Sequence, residues 1–136
     1  MDWKLELVVV PVSDVDRAKS FYANQVGFNV DHDTRISDDM RIVQLTPPGS
    51  GCSIAVGKGF TEMPPGSVKG LQLVVPDIHA AHTYLVERGV DVSPVQVYDV
   101  GGLRPTREGD VLQNVGFVFF SDPDGNGWAV QQIQRD

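Results

Sequence analysis

The hydrophobic and polar positions along the chain follow one order of patterns, and that order occurs twice. Leu5–Val12 is an apolar run rich in β-branched residues, which predicts a buried strand. A helix is predicted next, because Asp14 is a favourable N-cap and apolar residues then recur at helical spacing until Gly27. Three more strands are predicted after that glycine, at Phe28–Asp33, Arg41–Thr46 and Ser53–Val56.

The same order begins again in the second half of the chain. Leu71–Val75 predicts a strand, Asp77 caps a second helix and Gly89 ends it. Further strands are predicted at Val92–Tyr98, Val115–Phe120 and Trp128–Ile133. The repeat predicts one domain over residues 1–136, made of module 1 at about 1–60 and module 2 at about 66–136.

The second module contains a longer connection, Gly101–Asp110, than the first. Loops of this length often carry function, so one interpretation is a lid whose Arg104 and Arg107 meet a carboxylate or phosphate on a ligand. The alternative is a flexible, solvated loop.

Composition and charge exclude several classes of partner. The chain has 136 residues, 41% of them hydrophobic, and a formal net charge of −7. This charge argues against nucleic-acid binding, and no apolar run is long enough to span a membrane. The single cysteine, Cys52, cannot form an internal disulfide, which is typical of a reducing compartment. A cytoplasmic protein with no nucleic-acid or membrane partner is therefore expected.

Several motifs resemble those of the vicinal oxygen chelate superfamily, which contains glyoxalase I, bleomycin-resistance proteins, extradiol dioxygenases and fosfomycin-resistance enzymes. The matching segments are Val12–Ala18, Phe21–Tyr22, Gly27–Phe28, Val75–Ile78, Glu87–Val90 and Phe120–Trp128. The resemblance implies an α+β fold in which two βαβββ modules form an open, eight-stranded, cup-shaped mixed sheet with helices outside. It also implies a homodimer, and in many members one divalent metal in the cup.

The positions at which this superfamily usually places its metal ligands hold poor ligands here. They correspond to Leu7, to Gly70 or Gln72, to Ser53 or Ala55, and to Ala129. Leucine, glycine and alanine offer no donor side chain, so no metal is expected at the usual site. A divalent metal held by other residues remains open.

The histidines provide weak alternatives for a metal. His79 and His82 lie on the second helix, which the resemblance places outside the cup. In the triplet Asp31-His32-Asp33, strand alternation predicts the two aspartates on one face and the histidine on the other.

Strand alternation also predicts which residues line the cup, a mostly apolar concavity of the kind that binds small molecules. Gln72 and Gln131 are candidates for orienting a ligand, or else they satisfy neighbouring backbone groups. Phe117 and Phe119 share one face of their predicted strand, and Phe120 lies on the other. These rings are candidates for stacking on an aromatic ligand, or else they pack in the core. Tyr98 is a candidate proton donor or a structural residue. The predicted ligand-binding set is Leu7, Val9, Gln72, Val74, Tyr98, Arg104, Phe119, Ala129 and Gln131.

Three functional hypotheses follow, and no catalytic residue is assigned. The favoured one is a protein that binds a small, largely apolar or aromatic molecule in its cup without the usual metal. The alternative is a metal-dependent or metal-free lyase, isomerase or dioxygenase of the same superfamily. A third possibility is a partner-binding protein that uses the cup only as a structural core.

Overall fold

The computed structural model describes residues 1–135 and has the predicted strand–helix–strand–strand–strand order in its first half. The second half has the same order with one additional strand. The chain divides into two units. Unit 1 comprises Met1–Val68 together with Asp122–Asn126, and unit 2 comprises Lys69–Ser121 and the described residues from Gly127 onward. The α+β fold expected from the sequence is confirmed.

Unit 1 is a four-stranded mixed sheet with one helical segment. Its elements are β1 (Leu7–Val9), α1 (Val15–Ser20) continued by a π-helix (Phe21–Val26), β2 (Asn29–Ser37), β3 (Met40–Thr46) and β4 (Ser53–Lys58). The strand order is β1-β4-β3-β2, with β1 parallel to β4 and the other pairs antiparallel.

The helical segment of unit 1 begins and ends where the sequence predicts. The carboxylate of Asp14 accepts a hydrogen bond from the backbone N–H of Arg17 at 3.0 Å, which satisfies a donor of the first turn. At the other end Gly27 adopts φ 95°, a left-handed conformation that ends helices and favours glycine. The buried side chains of this unit include Val10, Ala18, Tyr22, Val43, Leu45, Ile54 and Val56.

Unit 2 is a five-stranded mixed sheet with one helix. Its elements are β5 (Leu71–Val75), α2 (Ile78–Glu87), β6 (Gln96–Asp99), β7 (Gly102–Pro105), β8 (Gly116–Ser121) and β9 (Gly127–Gln132). The strand order is β5-β9-β8-β6-β7, and β5 is parallel to β9. Ile78 and Leu85 of α2 are buried, as are five side chains of the sheet: Val97, Val118, Phe120, Trp128 and Val130.

The segment Gly101–Asp110 is not simply a loop, because it contains β7. This strand forms an antiparallel hairpin with β6, in which Asp99 is opposite Gly102. The carboxylate of Asp99 accepts a hydrogen bond from the N–H of Gly101 at 2.8 Å and so stabilises the turn. The described residues therefore form nine strands in two sheets, where the sequence predicts eight.

Two predicted strands are shorter than expected, and each contains a proline. Leu5–Val12 contains Pro11, and the observed strand is only Leu7–Val9. Val92–Tyr98 contains Pro94, and the continuous strand begins at Gln96. Proline has no N–H to donate to a neighbouring strand, so it tends to end regular pairing.

The turn Asp122–Asn126 belongs to unit 1 and is held there by buried hydrogen bonds. The hydroxyl of Tyr22 donates to the Asp122 carboxylate at 2.7 Å, and the side-chain amide of Asn126 donates to the same carboxylate at 2.7 Å. The Asn126 amide also donates to the carbonyl of Pro11 at 2.8 Å. Tyr22 and Asn126 are completely buried, so these bonds satisfy groups that water cannot reach.

None of the helices formed by residues 1–135 combines the length and the hydropathy that a membrane crossing requires.

Candidate functional site

The sheet of unit 2 has two faces of different chemistry. Residues directly opposite each other on paired strands share a face, so the register assigns each side chain to one side. One face carries the buried core residues of the sheet. The other, which we call the aromatic–amide face, carries half-buried and exposed side chains: Gln72, Val74, Tyr98, Phe117, Phe119, Ala129 and Gln131.

Three aromatic rings form a row on the aromatic–amide face. The rings of Phe117 and Phe119 are 5.9 Å apart between centroids and nearly parallel, with 7° between their planes. Tyr98 meets Phe117 edge-on, with centroids 5.2 Å apart, and is 45% exposed. Such a row offers an apolar, aromatic surface of the kind that contacts an aromatic ligand.

Two glutamine side chains lie next to the rings and are linked to each other. The amide nitrogen of Gln72 donates to the amide oxygen of Gln131 at 2.6 Å, and the amide nitrogen of Gln131 donates to the backbone carbonyl of Asn114 at 2.7 Å. Ala129 is opposite both Gln72 and Phe119, so one strand, with a small side chain at this position, lies between the amide and the ring. Polar groups beside an apolar surface are what fixes a ligand's orientation.

The aromatic–amide face brings together six of the nine residues in the predicted ligand-binding set. These are Gln72, Val74, Tyr98, Phe119, Ala129 and Gln131. Leu7 and Val9 lie on β1 of unit 1, opposite Ser53 and Ala55.

One residue of this face, Phe117, lies outside the predicted ligand-binding set, although strand alternation places it on the same face as Phe119. Asn114 lies next to the face and contributes its backbone carbonyl. The sequence gives no signal for such a role, because every residue has a backbone carbonyl.

Arg104, the ninth predicted residue, is engaged by carboxylates of its own unit. Its guanidinium pairs with Asp99 at 2.5 Å and Asp110 at 2.9 Å. It is opposite Val97, so it points to the side of the sheet away from the aromatic–amide face. Both carboxylates are anchored further by backbone N–H groups, and Arg104 therefore fastens the β6–β7 hairpin to the loop after it.

The ion pairs around Arg104 change the acidity of its partners. Hydrogen bonds from Arg104, and then from the backbone N–H of Arg107, lower the pKa of Asp110 to about 2. Hydrogen bonds from Arg104 and from the N–H of Gly101 likewise hold the pKa of Asp99 below its usual range. The pKa of Arg104 is raised by Asp110 first and Asp99 second, so this group is charged at every physiological pH.

Unit 1 carries a chain of polar side chains across β2, β3 and β4. A ring nitrogen of His32 is 3.1 Å from the amide oxygen of Gln44, and the amide nitrogen of Gln44 donates to the hydroxyl of Ser53 at 3.2 Å. The hydroxyls of Ser53 and Thr46 are 2.7 Å apart, and Thr46 donates to Asp31. These side chains satisfy one another's hydrogen-bonding groups, and the series links the three strands.

The expected alternation of Asp31, His32 and Asp33 is wrong, because β2 contains a bulge. The register shifts between Val30 and His32, so Asp31 lies at an extra residue and reaches the same polar chain as His32. Asp33 is on the other face, where its carboxylate accepts two hydrogen bonds from the guanidinium of Arg41, at 2.9 and 2.7 Å.

The residues at the superfamily's metal positions do not suit a divalent ion. In unit 1 Leu7 is opposite Ser53, and in unit 2 Gln72 is opposite Ala129. These pairs supply one hydroxyl and one amide, and the amide nitrogen of Gln72 is already bonded to Gln131. Within the described residues no three histidine, cysteine or acidic side chains lie close enough together to hold a metal ion.

Acid is expected to destabilise the fold through its paired aspartates. Hydrogen bonds from Arg41 and then Lys19 hold the pKa of Asp33 far below its usual range, and those from Arg104 lower the pKa of Asp110 to about 2. A folded-state pKa below the unfolded one gives stability that is present above the unfolded pKa and is lost as pH falls towards the folded one. Scanning calorimetry should therefore find a constant Tm from about pH 6 to 8 and a falling Tm from about pH 5 to 2.

A variant without one of these pairs provides the control for the acid prediction. Arg41→Met removes the main partner of Asp33, so its Tm should be lower at pH 7 and should fall less steeply below pH 5. A wild-type Tm that stays constant down to pH 3 would contradict the assignment of these pairs.

Comparison with known proteins identifies relatives across almost the whole chain. The model of the Glyoxalase/Bleomycin resistance protein/Dioxygenase superfamily matches residues 4–130. The solved structure of TnmS3, an antibiotic binding protein from Streptomyces sp. CB03234, is 33% identical with a TM-score of 0.75, and the match covers 97% of both chains.

Two other solved structures agree with this result. A glyoxalase/bleomycin resistance protein from the same Streptomyces strain is 34% identical, with a TM-score of 0.72 over 95% of this chain and 100% of that one. A superfamily member from Sphaerobacter thermophilus DSM 20745 is 30% identical, with a TM-score of 0.75 over 96% of this chain and 98% of that one. No curated protein matches the sequence.

Proposed function

Because the chain belongs to the Glyoxalase/Bleomycin resistance protein/Dioxygenase superfamily, we propose that it binds a small, largely apolar or aromatic molecule on its aromatic–amide face, without the metal used by many relatives. The observation that carries the proposal is the row of three rings, Tyr98, Phe117 and Phe119, beside the linked amides of Gln72 and Gln131. The rings provide apolar contact area and the amides provide orientation.

The relatives support a binding role of this kind. TnmS3 is an antibiotic binding protein, and a third of its residues are identical to those of this chain. We infer that the ligand is an antibiotic-like compound with a planar aromatic part, which the protein sequesters. A homodimer and a cytoplasmic location, both expected from the sequence, remain part of the proposal.

Direct binding of a simple aromatic probe tests the proposal. Equilibrium dialysis of 2-naphthol against the protein in EDTA should show saturable uptake of one probe per chain. A probe of this size gains about 0.3–0.5 kcal/mol per non-hydrogen atom, which corresponds to a Kd of about 0.1–4 mM. Uptake that never saturates, or that requires an added divalent metal, would contradict the proposal.

Metal ions are expected to leave the protein unchanged. The side chains at the superfamily's metal positions include Leu7 and Ala129, which have no donor atom, and the one hydroxyl and one amide beside them are too few to hold a divalent ion. Thermal melts with equimolar Ni²⁺, Mn²⁺ or Zn²⁺, and with EDTA, should give the same Tm, because a bound ion would raise it by mass action. Elemental analysis that finds one metal ion per chain after dialysis would contradict the expectation.

A further inference from the structure

We propose that Gln131 is a positioning residue, which holds the amide of Gln72 so that its oxygen faces the ligand. The aromatic–amide face would then select ligands that carry a hydrogen-bond donor next to the aromatic ring, such as a phenolic hydroxyl or an amine. The inference rests on the proposed function, and it adds the chemical class of the ligand.

The orientation of both amides follows from one backbone carbonyl. The carbonyl of Asn114 can only accept a hydrogen bond, so the side-chain atom of Gln131 that lies 2.7 Å from it must be the donating nitrogen. The oxygen of Gln131 then points to Gln72 and can only accept, so the facing atom of Gln72 is its nitrogen, at 2.6 Å. The remaining atom of the Gln72 amide is its oxygen, which is left as an acceptor.

The hydrogen bonds that orient the two amides begin at the backbone carbonyl of Asn114, whose conformation is restricted. Asn114 has φ 69° and is the one residue other than glycine with a positive φ in residues 1–135. Asparagine tolerates this left-handed conformation better than most residues. The N–H of Asn114 donates to the carbonyl of Gln132 at 2.9 Å. This bond helps to fix the backbone of Asn114, and with it the direction of the Asn114 carbonyl that accepts from Gln131. Rotating the Gln131 amide would therefore break two hydrogen bonds at once.

Gln72 lies on an apolar, uncharged face of the sheet. Gln72 is opposite Ala129, which is opposite Phe119, so the amide and the ring are separated by one strand. None of the seven residues that define the aromatic–amide face carries a formal charge. A ligand that lies on the rings therefore meets a neutral acceptor at its edge. A donor there completes a hydrogen bond, whereas a second acceptor would leave the Gln72 oxygen unpaired.

A matched pair of probes measures this selectivity. 2-Naphthol and 2-methoxynaphthalene have the same ring system, but only the first can donate a hydrogen bond. NMR titrations of the wild-type protein should give about tenfold tighter binding of 2-naphthol, the effect of one hydrogen bond worth about 1.4 kcal/mol. Gln72→Met should remove the preference. Gln131→Met should reduce it to about twofold or less, because the Gln72 amide can then rotate.

Controls separate positioning from a general loss of structure. Gln134→Met replaces an exposed glutamine beyond β9 and should keep the tenfold preference. Gln131→Ala provides a second truncation if Gln131→Met does not fold. Because the readout is a ratio of two Kd values on one sample, a change in stability alone does not move it.

Each outcome decides between the two proposals. Equal Kd values for both probes on the wild-type protein would overturn the inference and leave the proposed function standing. A tenfold preference that survives in Gln131→Met would overturn the positioning role of Gln131. Binding of neither probe would overturn the proposed function, and the inference with it.

Discussion

Replacing Asp122 by alanine is expected to lower the free energy of unfolding by about 3–5 kcal/mol. The carboxylate is buried and accepts four hydrogen bonds. They come from the Tyr22 hydroxyl at 2.7 Å, the Asn126 side-chain amide at 2.7 Å, and the backbone N–H groups of Asp124 and Asn126, both at 2.9 Å. Alanine would leave these donors without an acceptor in a region that water does not reach, and the loss of each is costly.

Urea unfolding measures this effect against two controls. Asp91→Ala removes an exposed aspartate and should change the free energy of unfolding by less than about 0.5 kcal/mol. Tyr22→Phe removes one of the four donors, so it should cost about 1–2 kcal/mol. If Asp122→Ala costs no more than Asp91→Ala, the turn is not held as the hydrogen bonds indicate.

Replacing Phe119 by alanine is expected to weaken the binding of 2-naphthol about tenfold or more. Phe119 is central to the proposed site, because its ring stacks on Phe117 and Ala129 alone separates it from Gln72. Truncation removes the aromatic surface on which the probe would lie and leaves Phe117 without its stacked neighbour. The Kd from an NMR titration at fixed temperature measures the effect.

The adjacent residue provides a matched control for Phe119. Phe120 is on the opposite, buried face of the same strand, where it stacks on Trp128. Phe120→Leu should therefore lower the Tm but leave the Kd for 2-naphthol unchanged. If both variants lose affinity equally, binding depends on the stability of the sheet rather than on the aromatic–amide face.

Local chemistry made the backbone elements predictable from the sequence. Asp14 and Asp77 cap helices through short-range hydrogen bonds, and Gly27 ends one by adopting a positive φ. Alternation also assigned Phe117 and Phe119 to one strand face and Phe120 to the other, as the register has them. These signals depend on neighbours within a few residues along the chain, so they can be recognised in a single sequence without knowledge of the fold.

The features that the sequence did not predict depend on contacts between strands. The bulge in β2 moves Asp31 out of strict alternation, and no residue type in this segment indicates that a bulge is present. The role of Arg104 is set by Asp99 and Asp110, which become its neighbours only when β7 folds back on β6. Asn114 contributes a backbone carbonyl, which every residue possesses, so its part in orienting the amides is visible only in three dimensions.

The central claim is that an aromatic small molecule binds the aromatic–amide face without a metal, and a two-dimensional ¹H–¹⁵N NMR titration with 2-naphthol in EDTA tests it most directly. Saturable shifts of the backbone signals of β5, β8 and β9 are expected, with Gln72, Phe117, Phe119 and Gln131 among the residues whose signals move most. Shifts confined to the strands of unit 1, or no saturable shifts until a divalent metal is added, would contradict it.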